Sequence, residues 1–389
     1  MPKKILFHYS VLNVGGAENS LLRMMRLLAE HGWDVELVLS VAGGKLETRV
    51  DPRVKITHLR DKVVGRRFLG EKRLSKKMLW MLIDGAPFLL TRLQWLVRAM
   101  RFRFKSYDIA AIGLHGLSPA FCCRFVRAKK RILWIRSDLS LCDPEGRIAR
   151  SIQKYKREID CYMCVSGTAK ESLVGLFPEL ESKAVVMHNV IDPETMRRRA
   201  DGEKNPYVGF DDLLKVVTVC RMSDQAKGLF RMLRVHCRLH AAGVDFRWFL
   251  VGDGPDLAKL KQRVLERDMA DRFILLGAKE NPFPYFRYAD VSATLSHYEG
   301  LCGTVNEGKV MGRPVIATRF SGISEQLTDG VNGMIVENNE DAIFDGMKRM
   351  LTDSELRERL TNDILPEALI DDDRKIRLLE RILENGAEL

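Results

Sequence analysis

The chain has 389 residues, 46% hydrophobic and 30% charged, which excludes a disordered polymer and allows two domains of roughly 150–200 residues. No run approaches 18 apolar residues, so no transmembrane helix is expected, and the net charge is +11. Eight cysteines at 122, 123, 142, 161, 164, 220, 237 and 302 match neither a disulfide framework nor a zinc site and read as thiols.

Met1 to Phe7 leads straight into a strand pattern without the features of a signal peptide, so a cytoplasmic location is expected. Lys4–Tyr9 reads as a buried strand, followed by a turn at Gly15-Gly16 and a helix from about Ala17 to His31. Leu21, Leu22, Met25, Leu28 and Ala29 share one face, and Gly32 stops the helix. Further strands are expected at Val35–Leu39, Val54–His58, Ile109–Ile112, Arg131–Ile135 and Cys161–Val165. The polar stretch Met196–Asp212 reads as a linker. A second series of strands then follows at Lys215–Cys220, Phe246–Val251, Phe273–Leu276, Val291–Leu295, Pro314–Ala317 and Met334–Val336. Alternating strands and helices predict parallel sheets covered on both faces, and two such halves would enclose a ligand cleft.

The charge is concentrated. Between Arg60 and Asp108 stand 13 basic and 4 acidic residues, a net of +9, so the remainder is nearly neutral. From Arg66 to Lys105 cations alternate with bulky apolar residues, as in Arg66-Arg67-Phe68-Leu69 and Lys76-Lys77-Met78-Leu79-Trp80. Asp84, Gly85 and Pro87 are expected to divide this segment into two helical pieces. Basic amphipathic helices with Trp and Phe suit an anionic membrane surface. Alternatively, the apolar residues are core and the cations its solvated face. No recognition helix, RNP motif or zinc finger accompanies the basic residues, so no nucleic-acid partner is expected.

Chemistry is concentrated later in the chain. Glu299 and Glu307 flank a glycine-bearing turn that follows one apolar strand and opens a helix. Such a turn presents backbone N–H groups to an anion, and the carboxylates can hold sugar hydroxyls. Spacing alone also fits two solvated carboxylates. Gly15 and Gly16 sit at the first strand-to-helix turn, where missing side chains let the backbone approach a phosphate or sugar. Arg221 and Lys227 follow the first strand of the second half, placed to neutralise a diphosphate. His115, Arg136 and Asp138 lie just after strands of the first half.

In order along the chain stand NVGGAENSL, VSGTAKESL, HNVID, CRMSDQAKGL, LVGDGPDLAKL, HYEGLCGTVNEGKVMGRPVIAT and SGISEQLTDGVNGMIV. This ordered set resembles the retaining glycosyltransferases of family 4, over most of the chain and most strongly from Lys215 to Glu337. The resemblance implies the α/β GT-B fold: two Rossmann-like doubly wound domains facing a cleft. Residues 1–200 would form the acceptor domain, carrying the 66–105 segment, and 201–372 the nucleotide-sugar domain. A C-terminal helix at 373–389 would pack back on the first.

The family pattern makes Arg221, Lys227, Glu299 and His115 the catalytic candidates. Arg221 and Lys227 would grip the diphosphate, Glu299 and His115 would lie by the transferred sugar, and Glu307 would hold the ribose. Gly15, Gly16 and the backbone of Gly300, Leu301 and Cys302 would complete the donor site. Arg136 and Asp138 would line the acceptor side. Gly308-Lys309 departs from the family's usual small-residue pair, which puts the packing of that helix in question. The implied activity moves a hexose or N-acetylhexosamine from a nucleotide sugar, UDP favoured, to a lipid-linked glycan, lipopolysaccharide or polysaccharide. It needs no cofactor beyond that donor substrate, and no metal. An enzyme at the inner face of the plasma membrane, held by the Arg66–Lys105 segment, is expected. A sugar-nucleotide epimerase of the same fold, or a non-enzymatic nucleotide-sugar or polyanion binder, are the alternatives.

Overall fold

The computed structural model describes residues 2–13, 15–61, 74–362 and 364–385. The part of the basic segment from Arg66 to residue 73 therefore lies outside the described residues. By their contacts the residues form two compact units. The first takes the chain up to Val165, Lys170–Met187 and the stretch from Asp372; the second takes Ser166–Ala169 and His188–Asp371.

In the first unit, β1 (Lys4–Tyr9), β2 (Asp34–Leu39), β3 (Lys55–His58), β4 (Ser106–Ile112), β5 (Arg127–Ile135), β6 (Cys161–Cys164) and β7 (Ala184–Val186) make one parallel sheet. Its order is β3-β2-β1-β4-β5-β6-β7. Strand β1 is buried from Ile5 to Tyr9 because both faces of such a sheet are covered, which is why it reads as a continuous apolar run. The helix Asp372–Asn385 belongs to this unit and ties to its first strand's entrance through Lys3 and Glu380, 2.5 Å apart.

The second unit repeats the plan. Strands β8 (Lys215–Val219), β9 (Arg247–Val251), β10 (Phe273–Gly277), β11 (Val291–Thr294), β12 (Val315–Thr318) and β13 (Met334–Val336) are parallel, in the order β10-β9-β8-β11-β12-β13. These are two Rossmann-like α/β units, the expected fold class. The short strand β7 was not among the expected strands.

Two local expectations fail. Met196–Asp212 is not a linker: its first residues lie in the helix Pro193–Asp201, capped by the Asp192 carboxylate, which accepts from Thr195 N–H at 2.9 Å. Met196 and Ala200 are buried, the helix packs against Phe283–Arg287, and Tyr207 donates its hydroxyl to Tyr285 O at 2.8 Å. The chain consequently changes unit at Met187/His188 rather than near residue 200.

Nor is the basic segment broken at 84–87. One helix runs Leu74–Met100 with Pro87 inside it. An internal proline costs about 3 kcal/mol, but the turns beyond it are firmly held. Trp95 packs edge-on against Phe125 and Phe121, Gln94 donates to Asp61 at 2.7 Å, and Arg98 donates to Asp61 and His58 O. Among the described residues no helix is long and apolar enough to cross a membrane.

His236 is enclosed by Phe246, Trp248 and Phe273, with no hydrogen-bond partner for either ring nitrogen. Burial depresses its pKa to about 3, so it stays neutral in the fold while it would protonate near 6.5 when unfolded. The unfolded state then binds the extra proton between those values, and stability falls as pH falls through that window. His236→Phe should stabilise the protein by on the order of 1 kcal/mol at pH 7. The advantage should widen toward pH 4 in urea unfolding; a constant difference would contradict this account.

Candidate functional site

Strand order reverses once in each sheet, between β1 and β4 and between β8 and β11. There no crossover helix covers the carboxyl ends of the strands, and ligands of this architecture bind in such places. The expected site residues gather at these two points.

In the second unit the loop after β8 is built from its neighbours. Met222 N–H donates to Asp253 O and Met222 O accepts from Asp256 N–H, both at 3.0 Å, while the Asp256 carboxylate accepts from Asp224 N–H at 2.8 Å. Gly252, at φ +147°, is required there: a Cβ would lie 1.8 Å from Cys220 O. A short helix, Asp224–Lys227, ends at Gly228 with φ +66°. Lys227 emerges from it and is ion-paired with Glu299, whose same oxygen accepts the Ser296 hydroxyl at 2.7 Å. Burial alone would lower the Lys227 pKa; the Glu299 carboxylate overrides it and the net shift is upward. Arg221 is exposed and has no partner among the described residues.

The turn after β11 carries Glu299, Gly300, Leu301 and Cys302 into the helix Gly303–Val310. The Cys302 N–H, expected to face a ligand, instead donates to Gln326 Oε1 at 2.9 Å. The Gln326 amide in turn donates to Cys302 O and Asn306 Oδ1, so this buried side chain braces the turn. The N–H groups of Gly300 and Leu301 have no partner among the described residues. Glu307 is half-buried on the first turns of the helix, its carboxylate near Gly303. Burial raises the Cys220 and Cys302 thiols to about 12, which keeps them protonated beside the ion pair.

The packing question at Gly308-Lys309 has a physical answer. A Cβ at Gly308 would stand 2.8 Å from Ser292 Oγ and 3.2 Å from Val315 Cγ2, so glycine lets the helix approach β11 and β12 closely. Lys309 is fully buried and donates to Asn362 O and Oδ1 at 2.5 and 2.7 Å.

In the first unit His115 follows β4 and Arg136 follows β5. His115 Nδ1 accepts the backbone N–H of Arg136 at 3.0 Å, which fixes the ring proton on Nε2. That nitrogen faces Cys142 Sγ at 3.8 Å. Burial, with Arg136 adding to it, lowers the His115 pKa to about 4, so the ring is a neutral donor. Arg136 itself is turned inward: its guanidinium donates to Gly113 O at 2.8 Å and Ser20 Oγ at 3.3 Å and stacks on Trp134. Burial lowers its pKa to about 10 despite Tyr9 and Glu18 nearby. Asp138 caps the helix Leu139–Cys142, accepting from Ser140 N–H at 2.9 Å. At Gly15 a Cβ would meet Glu18 Oε2 at 2.3 Å, so Glu18 folds over this glycine; at Gly16 the space is open. The bracing roles of Ser296 and Gln326 were not expected, although both stand within or beside the motifs quoted.

The family models match this arrangement half by half. Glycosyltransferase Family 4 matches residues 14–195, and Glycosyl transferases group 1 matches residues 203–364. The chain belongs to the family 4, group 1 glycosyltransferases. A relative in Campylobacter jejuni, N-acetylgalactosamine-N,N'-diacetylbacillosaminyl-diphospho-undecaprenol 4-alpha-N-acetylgalactosaminyltransferase, is 28% identical over 208 residues, 53% of this chain and 54% of that one. Alpha-D-kanosaminyltransferase of Streptomyces kanamyceticus is 29% identical over 45% of each chain. The match thus spans about half the length of these curated relatives. The fold matches the crystal structure of Anabaena Alr3699/HepE with UDP-glucose at a TM-score of 0.73 and 16% identity, covering 98% of this chain and 99% of that one.

Gly308→Ala gains about 1 kcal/mol of helix propensity but forces a contact onto Ser292 and Val315, where overpacking costs about 1–3 kcal/mol. A net loss of stability should appear as a lower urea midpoint. A higher midpoint would show that the helix can move away from the sheet.

Proposed function

We propose that this protein transfers a hexose or N-acetylhexosamine from a UDP-sugar to a lipid-linked glycan with retention at the anomeric carbon. The observation that carries the proposal is the Lys227–Glu299 pair beside the unpartnered Arg221 at the reversal between β8 and β11. Without ligand the ammonium and carboxylate satisfy each other. A donor diphosphate competes for Lys227 and recruits the Arg221 fork, releasing Glu299 to the hydroxyls of the sugar. Charge that builds on the departing UDP is then met by two fixed cations, and Gly300 and Leu301 add backbone donors. Glu307 is assigned to the ribose. The acceptor hydroxyl attacks the anomeric carbon on the face from which UDP leaves, and a departing phosphate oxygen takes its proton. This assignment neutralises the diphosphate with side chains.

The nucleotide and the acceptor class draw on relatives. The Anabaena structure holds UDP-glucose, and the Campylobacter enzyme's name specifies a diphospho-undecaprenol acceptor. The Leu74–Met100 helix favours an acceptor at a membrane. Its amphipathicity is inverted: Asp84 is buried and Gln94 and Arg98 are bonded to Asp61, while Met78, Leu82, Leu89, Leu90, Leu93 and Val97 are exposed. Leu82 is 83% exposed. An apolar stripe with exposed Lys76 and Arg92 fits the interface of an anionic bilayer, which supports the assignment to the inner face of the plasma membrane.

UDP-sugars should raise the melting temperature with concentration, more than GDP-, ADP- or dTDP-sugars. Arg221→Ala should weaken that binding about 10- to 100-fold, the worth of a charged hydrogen bond. Lys227→Ala should lower kcat by about 100-fold or more. NMR of the first product should show the donor's anomeric configuration. No stabilisation by any nucleotide sugar would refute the donor site.

Independently, Leu89→Ser/Leu93→Ser should release the protein from vesicles in cosedimentation. Equal binding of variant and wild type would remove the membrane from the proposal.

A further inference from the structure

The long helix ends in Arg101–Phe104, and there the first unit holds a cavity of about 410 Å³. Arg103, Arg124, Arg127 and Arg131 line it, with Phe125 in its wall. Arg131 is committed to the wall itself, donating to Cys122 O and Val126 O at 3.2 Å. Arg103, Arg124 and Arg127 are exposed and have no hydrogen-bond or ion-pair partner among the described residues. The acids on this side do not neutralise them. Asp160 accepts from Arg131 N–H at 2.7 Å, and Glu158 is exposed toward Cys123.

Three free guanidinium forks around one cavity repel one another unless an anion joins them. A fork of this kind matches a phosphate better than an ammonium does. The cavity also lies at the wrong end of the sheet to serve the donor. Arg127 opens β5, whereas Arg136 and His115 follow the carboxyl ends of β5 and β4. Nine residues of strand put roughly 27 Å between the two ends. Phe104, next to Arg103 just beyond the helix, is 87% exposed, and Trp95, on the packed face of the helix opposite the stripe, touches Phe125 of the cavity wall.

We propose that this cavity is a headgroup site that takes the phosphate of an anionic phospholipid while the helix stripe and Phe104 enter the same bilayer. The inference rests on the membrane reading above and adds a headgroup-selective lipid contact to it. Forks that grip a phosphate distinguish a phosphomonoester lipid from a neutral one, which an apolar stripe alone does not do.

Cosedimentation with phosphatidylcholine vesicles, with and without phosphatidic acid, tests it. Wild type should bind both and prefer phosphatidic acid. Arg124→Gln/Arg127→Gln should lose that preference by about tenfold while keeping its binding to the neutral vesicle and its stabilisation by UDP-sugar. Arg150→Gln/Lys154→Gln, which removes two exposed cations elsewhere in the unit, should keep the preference. If Arg124→Gln/Arg127→Gln retains it, or if both double variants lose it equally, the headgroup site is overturned and the membrane reading stands. If wild type binds neither vesicle, both fall.

Discussion

Every described strand runs parallel to its neighbours, so each delivers its following loop to the same end of its sheet. Where strand order reverses, that end is left open, and the rest of the chemistry depends on this single constraint. His115 and Arg136 reach the first opening because they follow β4 and β5. Lys227 and Glu299 reach the second from residues 72 apart, because β8 and β11 are neighbours in space.

Within the second opening, the resting state is electrically closed. A half-buried ammonium without a partner would be costly, and so would an unpaired carboxylate beside two protonated thiols. Pairing them removes both penalties and leaves Arg221 exposed on the loop after β8. The surrounding hydrogen bonds serve geometry: Gln326 and Ser296 hold the turn and the carboxylate, and Asp256 holds the loop that carries Lys227.

How much of this was legible in the sequence differs by level. Strand runs were legible because both faces of a parallel sheet are buried, and β7 escaped because three residues are too few to make a pattern. That Glu299, Lys227 and Arg221 stand in loops after strands was legible from the strand runs. Their partners were not, since Lys227–Glu299 and Cys302–Gln326 are contacts made by strand order rather than by spacing. Arg136 shows the reverse case. Its position suggested a ligand contact, yet its side chain folds inward onto Gly113 and Ser20. The Pro193–Asp201 helix was hidden by its polar composition, because two buried residues, Met196 and Ala200, are all that it needs. The Leu74–Met100 helix misled in the same way: the proline rule was sound, and packing outweighed it.

The helix Asp372–Asn385 belongs to the first unit although the entire second unit precedes it in the chain. A ribosome therefore makes all of residues 188–371 before it supplies this helix to the unit it began with. The second unit is complete earlier, and the first must wait with a face uncovered around Lys3 and β5, where this helix docks. The exposed stripe of Leu82, Leu89 and Leu93 is on the same waiting unit. Biogenesis is then exposed to aggregation in the interval before the helix Asp372–Asn385 emerges, and a nonsense change within that helix damages the first unit although it falls after the second.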